Sequence, residues 1–181
     1  VTARAVLRAA TAADHERVDR LFSSLDLARE VDYRLFLIAQ AAAHLPIEEA
    51  IDVAGAHALL ADWPERKRAH LLTADLADLG AGVPSPQEPP ALPDAASIFG
   101  AIYVLEGSRL GGALLKRQLP AGLPKRFLNA EQAPGAWRKL LAKLDEFVYA
   151  PEHLEAATNA ARQVFMRFER AGRLYLETVQ T

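Results

Sequence analysis

The stretch "LRAATAADHERVD", residues 7–19, spaces three polar side chains so that they share one helical face. Arg8 lies two turns before His15 and Asp19 one turn after it. A neutral imidazole is the commonest metal ligand near physiological pH, and a carboxylate one turn away can orient it. Arg8 is seven residues earlier, about 10 Å along a continuous helix axis. That distance suits a cation meeting the anionic edge of a ligand whose metal the imidazole holds. Taken singly, each of these residues is what an ordinary solvated face carries.

A second stretch, "YVLEGSRLGGALLKRQL" (103–119), reads as an amphipathic helix yet contains Gly107, Gly111 and Gly112. Each glycine inside a helix costs about 1 kcal/mol relative to alanine. Gly107 and Gly111 share a face, with Gly112 beside it. A helix-dimer face in lipid is excluded by Glu106, Arg109, Lys116 and Arg117. Two readings remain: close packing against another helix, or a flat ligand resting on bare backbone with a second wall elsewhere. The helix bearing His15 can supply that wall. Haem is a flat ligand of this kind, and its iron is usually held by a histidine.

Helices must position these residues, and the apolar periodicity is helical almost throughout. It predicts helices over 3–22, over 32–54 with Pro46 as a kink, over 64–80 from Pro64 to Gly80, and over 95–119 behind an Asp94 cap. Two more follow, over about 134–149 and 151–178. The five prolines of "AGVPSPQEPPALPD" (81–94) mark a surface connection. The expected fold is all-α, a single-domain bundle of about six helices over 1–181, with a cofactor site between facing helices. The 181 residues, 51% hydrophobic, suffice for one sizeable core. A formal net charge of -2 makes the whole molecule no electrostatic partner for nucleic acid or anionic membrane. The lack of cysteine removes disulfides, thiolate nucleophiles and cysteine-held metals. No apolar run is expected to reach the length of a membrane span and the start lacks a signal-peptide core, so a cytoplasmic protein is expected.

In these motifs the sequence resembles the haem oxygenases. "LRAATAADHERVD" is similar to their proximal-helix pattern A-T-x-x-x-H, and "YVLEGSRLGG" to their glycine-rich distal helix, in the form of short bacterial members linked to phytochrome chromophore supply. The likeness continues in order through "AAAHLPIEEAI", "LLTADLADLG" and "ARQVFMRFE". It implies haem sandwiched between the first helix and the glycine-bearing one. His15 becomes the proximal iron ligand. Gly107, Ser108 and Gly111 become the distal catalytic segment, with both glycines contacting haem and leaving room for dioxygen. Arg8 and Arg138 fall at basic propionate contacts, and Phe165 at an aromatic lining the pocket. The implied reaction opens haem, as substrate and cofactor, to biliverdin with release of iron and carbon monoxide, using O2 and an external electron donor.

Two positions depart from the family. Ser108 stands where many members carry an aspartate that organises proton-delivering waters, and Ile102 stands at the tyrosine near the propionates, with Tyr103 beside it. A serine holds a water but offers no carboxylate. That departure keeps open a haem-binding carrier or sensor that does not degrade its ligand. A helical di-iron oxidase would need paired Glu-x-x-His motifs, which the sequence lacks. The implied partners are a reductase, of ferredoxin or flavoprotein type, and a phytochrome receiving biliverdin. Arg109, Lys116, Arg117, Lys125 and Arg126, with Glu106 the lone acid between 106 and 126, read as a solvated face or a docking patch for an acidic reductase. Trp63 and Trp137 read as packing anchors.

Overall fold

The computed structural model describes residues 2–177, all of them helix, turn or connection. Helices α1 (Ala3–Ala10) and α2 (Ala12–Phe22) lead into α3 (Glu30–Val53). The short α4 (Ala56–Leu59) and α5 (Trp63–Arg66) precede α6 (Ala69–Asp78). Beyond the proline-rich connection stand α7 (Ala95–Leu115), a 3-10 turn (Lys116–Gln118), α8 (Arg126–Asn129), α9 (Ala136–Phe147) and α10 (Pro151–Leu176). Residue 178, expected to end the last helix, lies outside the described residues.

Two of the expected helices are divided, each for a local reason. The segment 3–22 breaks at Thr11, which has φ -108° and ψ 5°. The Thr11 hydroxyl donates to the Leu7 carbonyl at 2.7 Å, one turn back, and such back-bonding bends helices. The straight-axis spacing of Arg8 and His15 therefore does not hold. The segment 64–80 divides at Lys67, which is extended (ψ 141°). Glu48 on α3 then serves as the cap of α6, accepting the N–H groups of Arg68 at 2.8 Å and Ala69 at 3.1 Å.

Pro46 does not end α3. Having no N–H, it leaves the Ala42 carbonyl without its helical donor. The Gln87 N–H takes that carbonyl at 2.9 Å and pins the proline-rich connection to the bundle. Buried Arg167 on α10 holds the next residues by donating to the carbonyls of Glu88 and Pro89.

The bundle is organised on α10, which packs against α7, α3, α2 and α1. Its contact with α7 is backbone-close at Gly100, where a Cβ would lie 2.2 Å from the Ala157 carbonyl oxygen. Leu7, Ile47, Ile51, Phe99, Ile102 and Val164 form the core around this crossing. A second cluster, including Tyr33, Phe36, Leu72, Leu76 and Phe127, joins α3, α6 and α8. Asp94 and Ser97 close a reciprocal capping box at the start of α7, with Ser97 N–H to Asp94 Oδ1 at 2.7 Å. Contrary to the sequence expectation, one segment, Ala95–Gln118, is long and apolar enough to cross a membrane by length and composition. Burial of its first half at the centre of the bundle accounts for that apolarity.

Candidate functional site

On α2, the His15 Nδ1 faces the Asp19 carboxylate at 3.2 Å. With the Nδ1 proton donated there, the lone pair is left on Nε2, the tautomer a metal ligand needs. The imidazole is 61% exposed, and its ring meets Phe165 of α10 edge-on, with centroids 5.8 Å apart. α2 is clamped to α10 by Arg17 with Glu169 at 3.1 Å and by Leu21, 3.2 Å from where a Gly172 Cβ would stand.

The glycines of α7 divide by role. A Cβ at Gly111 would meet no protein atom within 4 Å, and one at Gly107 only the Trp137 ring at 3.8 Å. Neither glycine is needed for close helix packing. That role belongs to Gly100, which the sequence reading passed over, and Gly112 rests at ordinary contact on Leu128 (3.5 Å). Leu110 and Leu114 are exposed on the same half-helix. A bare, partly apolar surface on α7 and an exposed imidazole fit haem in chemistry: an apolar plane with one metal to be ligated.

A third group gathers where α1, α7 and α9 meet. Gly135, at φ 78°, starts α9 in a backbone conformation that favours glycine. Trp137 then packs on Tyr103 with centroids 5.8 Å apart and lies under Arg4 at 5.9 Å. Burial raises the Tyr103 phenol above its ordinary pKa, while the charges of Arg4 and Arg8 pull it down. Arg8 thus stands at this corner together with Arg4, a second cation absent from the sequence reading. Arg138 is not brought into the corner by any described contact; its guanidinium lies beside Gly135 instead.

Behind the glycine-bearing segment lies a buried polar network. Arg68, at the start of α6, donates through Nη2 to the Leu105 carbonyl at 2.8 Å and to Ser108 Oγ at 3.0 Å. The Ser108 hydroxyl gives its own proton to the same carbonyl at 2.6 Å. Burial, then the charge of Arg109, push Arg68 down to about 9, so it remains a cation at neutral pH. Its guanidinium covers the Phe127 ring at 4.8 Å. Glu48, which caps α6, also takes His44 Nε2 at 2.9 Å. Complete burial pushes the His44 pKa down, partly opposed by Glu48. Burial alone would raise Glu48, but bonds from His44 and the Arg68 and Ala69 N–H groups hold it below the usual carboxylate value.

Three cations of the expected basic patch are held in pairings. The Arg109 side chain is largely covered, ion-paired to Glu106 at 2.9 Å and bonded to the carbonyls of Ala130 and Arg66. Lys116 pairs with Glu131, and Arg126 with Asp75 and Asp78. Glu106 neutralises Arg109 from within 106–126, whereas Glu131, Asp75 and Asp78 lie outside that window, where the local count could not see them. Trp63 is the anchor expected, buried with its indole N–H on Asp52 at 2.6 Å.

No protein-family model matches the chain. The chain is 33% identical over 112 residues to the heme oxygenase of Xanthomonas campestris pv. campestris (strain 8004), covering 59% of this chain and 67% of that one. Its fold superposes on the NO- and CO-bound heme oxygenase of Neisseria meningitidis with a TM-score of 0.81 and 25% identity. That match covers 98% of this chain and 93% of the other.

Proposed function

The chain belongs to the haem oxygenase family, and from that premise we propose which of its own residues carry the reaction. It is a haem oxygenase. When bound, haem supplies the redox chemistry, its ring opening to biliverdin with loss of iron and carbon monoxide when electrons and O2 are provided.

His15 would hold the iron through Nε2, with Asp19 fixing its ring. Phe165 packs against the imidazole edge. Arg8, with Arg4 nearby, binds a propionate at the α1 corner. Gly107 and Gly111 would keep the α7 wall of the site free of side chains, leaving room for O2. The observation that carries this reading is the pair of glycines whose missing side chains no protein group needs, on the half-helix with exposed leucines.

Ser108 has spent its one proton on the Leu105 carbonyl and one lone pair on Arg68. Its remaining lone pair accepts from a water. In this reading Ser108 would anchor a water and Arg68 would fix the hydroxyl, so the proton donor on this side of the site would be ordered water instead of a carboxylate. Arg138 keeps a propionate role only as an expectation of the resemblance. We read residues 1–181 as one such domain, acting in the cytoplasm with an external reductase of ferredoxin or flavoprotein type. A phytochrome is the proposed recipient of biliverdin.

Haem titration followed by single turnover tests the reading. With a reductant and O2, the Soret band should decay and biliverdin should form in equimolar amount. A Soret band that persists through reduction and oxygenation would show a haem carrier instead.

A further inference from the structure

The break between α1 and α2 joins two helices that both pack on α10, each with an anchor of its own. α1 is fixed to α9, where Asp145 accepts the Ala3 N–H at 3.0 Å. α2 is fixed to α10 by the Arg17–Glu169 pair and the Leu21–Gly172 contact. Between them Thr11 is buried, with its hydroxyl on the Leu7 carbonyl. From α10, Arg162 reaches across the same break. Its Nη2 donates at 2.9 Å to the carbonyl of Ala10, the last residue of α1, and its Nε lies 3.7 Å from Asp14 in the first turn of α2. Arg8 stands on one side of this joint and His15 on the other.

Resting on the functional reading above, we propose that Thr11 and Arg162 are positioning residues that set how haem is rotated in its plane, and hence which meso carbon is opened. A disc held at its centre by one ligand can turn about that bond. A second attachment at its rim fixes the angle. His15 is the centre and Arg8 the rim, so the bend between their helices determines the rotation. Neither Thr11 nor Arg162 touches the ligand in this scheme. Both act through the relative placement of α1 and α2, and both leave His15 and Arg8 in the chain.

Thr11→Ala, Thr11→Ser and Arg162→Ala, each reconstituted with ferric haem, test this. Soret titration should give haem affinities within about threefold of wild type, because the ligand and the rim cation are retained. The populations of in-plane seatings are read without turnover from the hyperfine-shifted haem methyl resonances. They should shift about fivefold in Thr11→Ala and Arg162→Ala, the ratio that about 1 kcal/mol of lost hydrogen bonding represents. The biliverdin isomer ratio should move with them. Thr11→Ser restores the hydroxyl and should restore both readings. Unchanged seatings and isomers in both alanine variants overturn the proposal. Should Thr11→Ala fail to fold, Arg162→Ala decides alone, since its side chain is 53% exposed. A wild-type protein that binds no haem, or forms no biliverdin from it, overturns the functional reading itself, a failure visible before any substitution.

Discussion

At the residue scale, ligation and folding separate at His15. Its side chain is largely solvent-exposed, so His15→Ala should change stability by no more than about 0.5 kcal/mol. The same substitution should abolish the axial-ligand spectrum of the haem complex, and turnover should require added imidazole. Asp19→Asn keeps the ligand but weakens its orientation, and should lower haem affinity about tenfold. Soret titration of both variants checks this; a wild-type spectrum in His15→Ala would place the iron on another histidine. The pairing of His15 with Asp19 was legible in the sequence because an i, i+4 spacing is itself the contact. Arg68 was not. Its partners lie 20 residues before it and about 40 after it, so only the fold could reveal that Glu48 holds its backbone and Ser108 its side chain.

At the scale of the element, α7 carries glycines with opposite duties. Gly100→Ala would drive a methyl group into the Ala157 backbone and should destabilise the protein by about 3 kcal/mol or more, since neither main chain can yield cheaply. Gly111→Ala meets no neighbour and should stabilise the ligand-free protein by about 1 kcal/mol through helix propensity. Gly111→Leu should retain that stability while suppressing O2 binding and ring opening. Thermal melts of the ligand-free variants beside single-turnover assays distinguish the duties; a Gly111→Leu protein with normal turnover would remove this glycine from the site. The helical pattern showed that glycines were anomalous in α7. It did not show which were structural, because a backbone crossing at Gly100 depends on where α10 lies. Likewise the sequence of 3–22 is continuous in periodicity, and the division at Thr11 arises from one hydroxyl competing for a carbonyl.

At the scale of the whole molecule, the buried network makes stability depend on pH in one direction. His44 has a depressed pKa in the folded state, so the unfolded chain binds its proton first, at about pH 6.5. Folding stability is thus lost as pH falls through that value. Glu48 is also depressed; its contribution is present above its unfolded value of about 4.3 and disappears as pH falls through the lower folded one. Each fully shifted group gives a slope of at most about 1.4 kcal/mol per pH unit. The melting temperature should therefore be level near neutrality, decline below about pH 6.5 and fall more steeply below about pH 4.3. A melting temperature unchanged from pH 7 down to pH 5 would mean that His44 is not buried in its neutral form.

Mechanically, α7 resembles a beam clamped over half its length. Burial through Glu106, together with Arg68 on Leu105 and Arg109 on its carbonyls, grips the first part. Beyond Arg109, the stretch Leu110–Leu115 rests on Leu128 through Gly112 and on the second apolar cluster through Leu115, and presents Leu110, Gly111 and Leu114 to solvent. Deflecting this lightly covered stretch would leave the Gly100 crossing undisturbed, because that crossing lies well inside the clamp. The compliance needed to admit a rigid macrocycle and release a flexible open-chain product can therefore be confined to about one and a half helical turns.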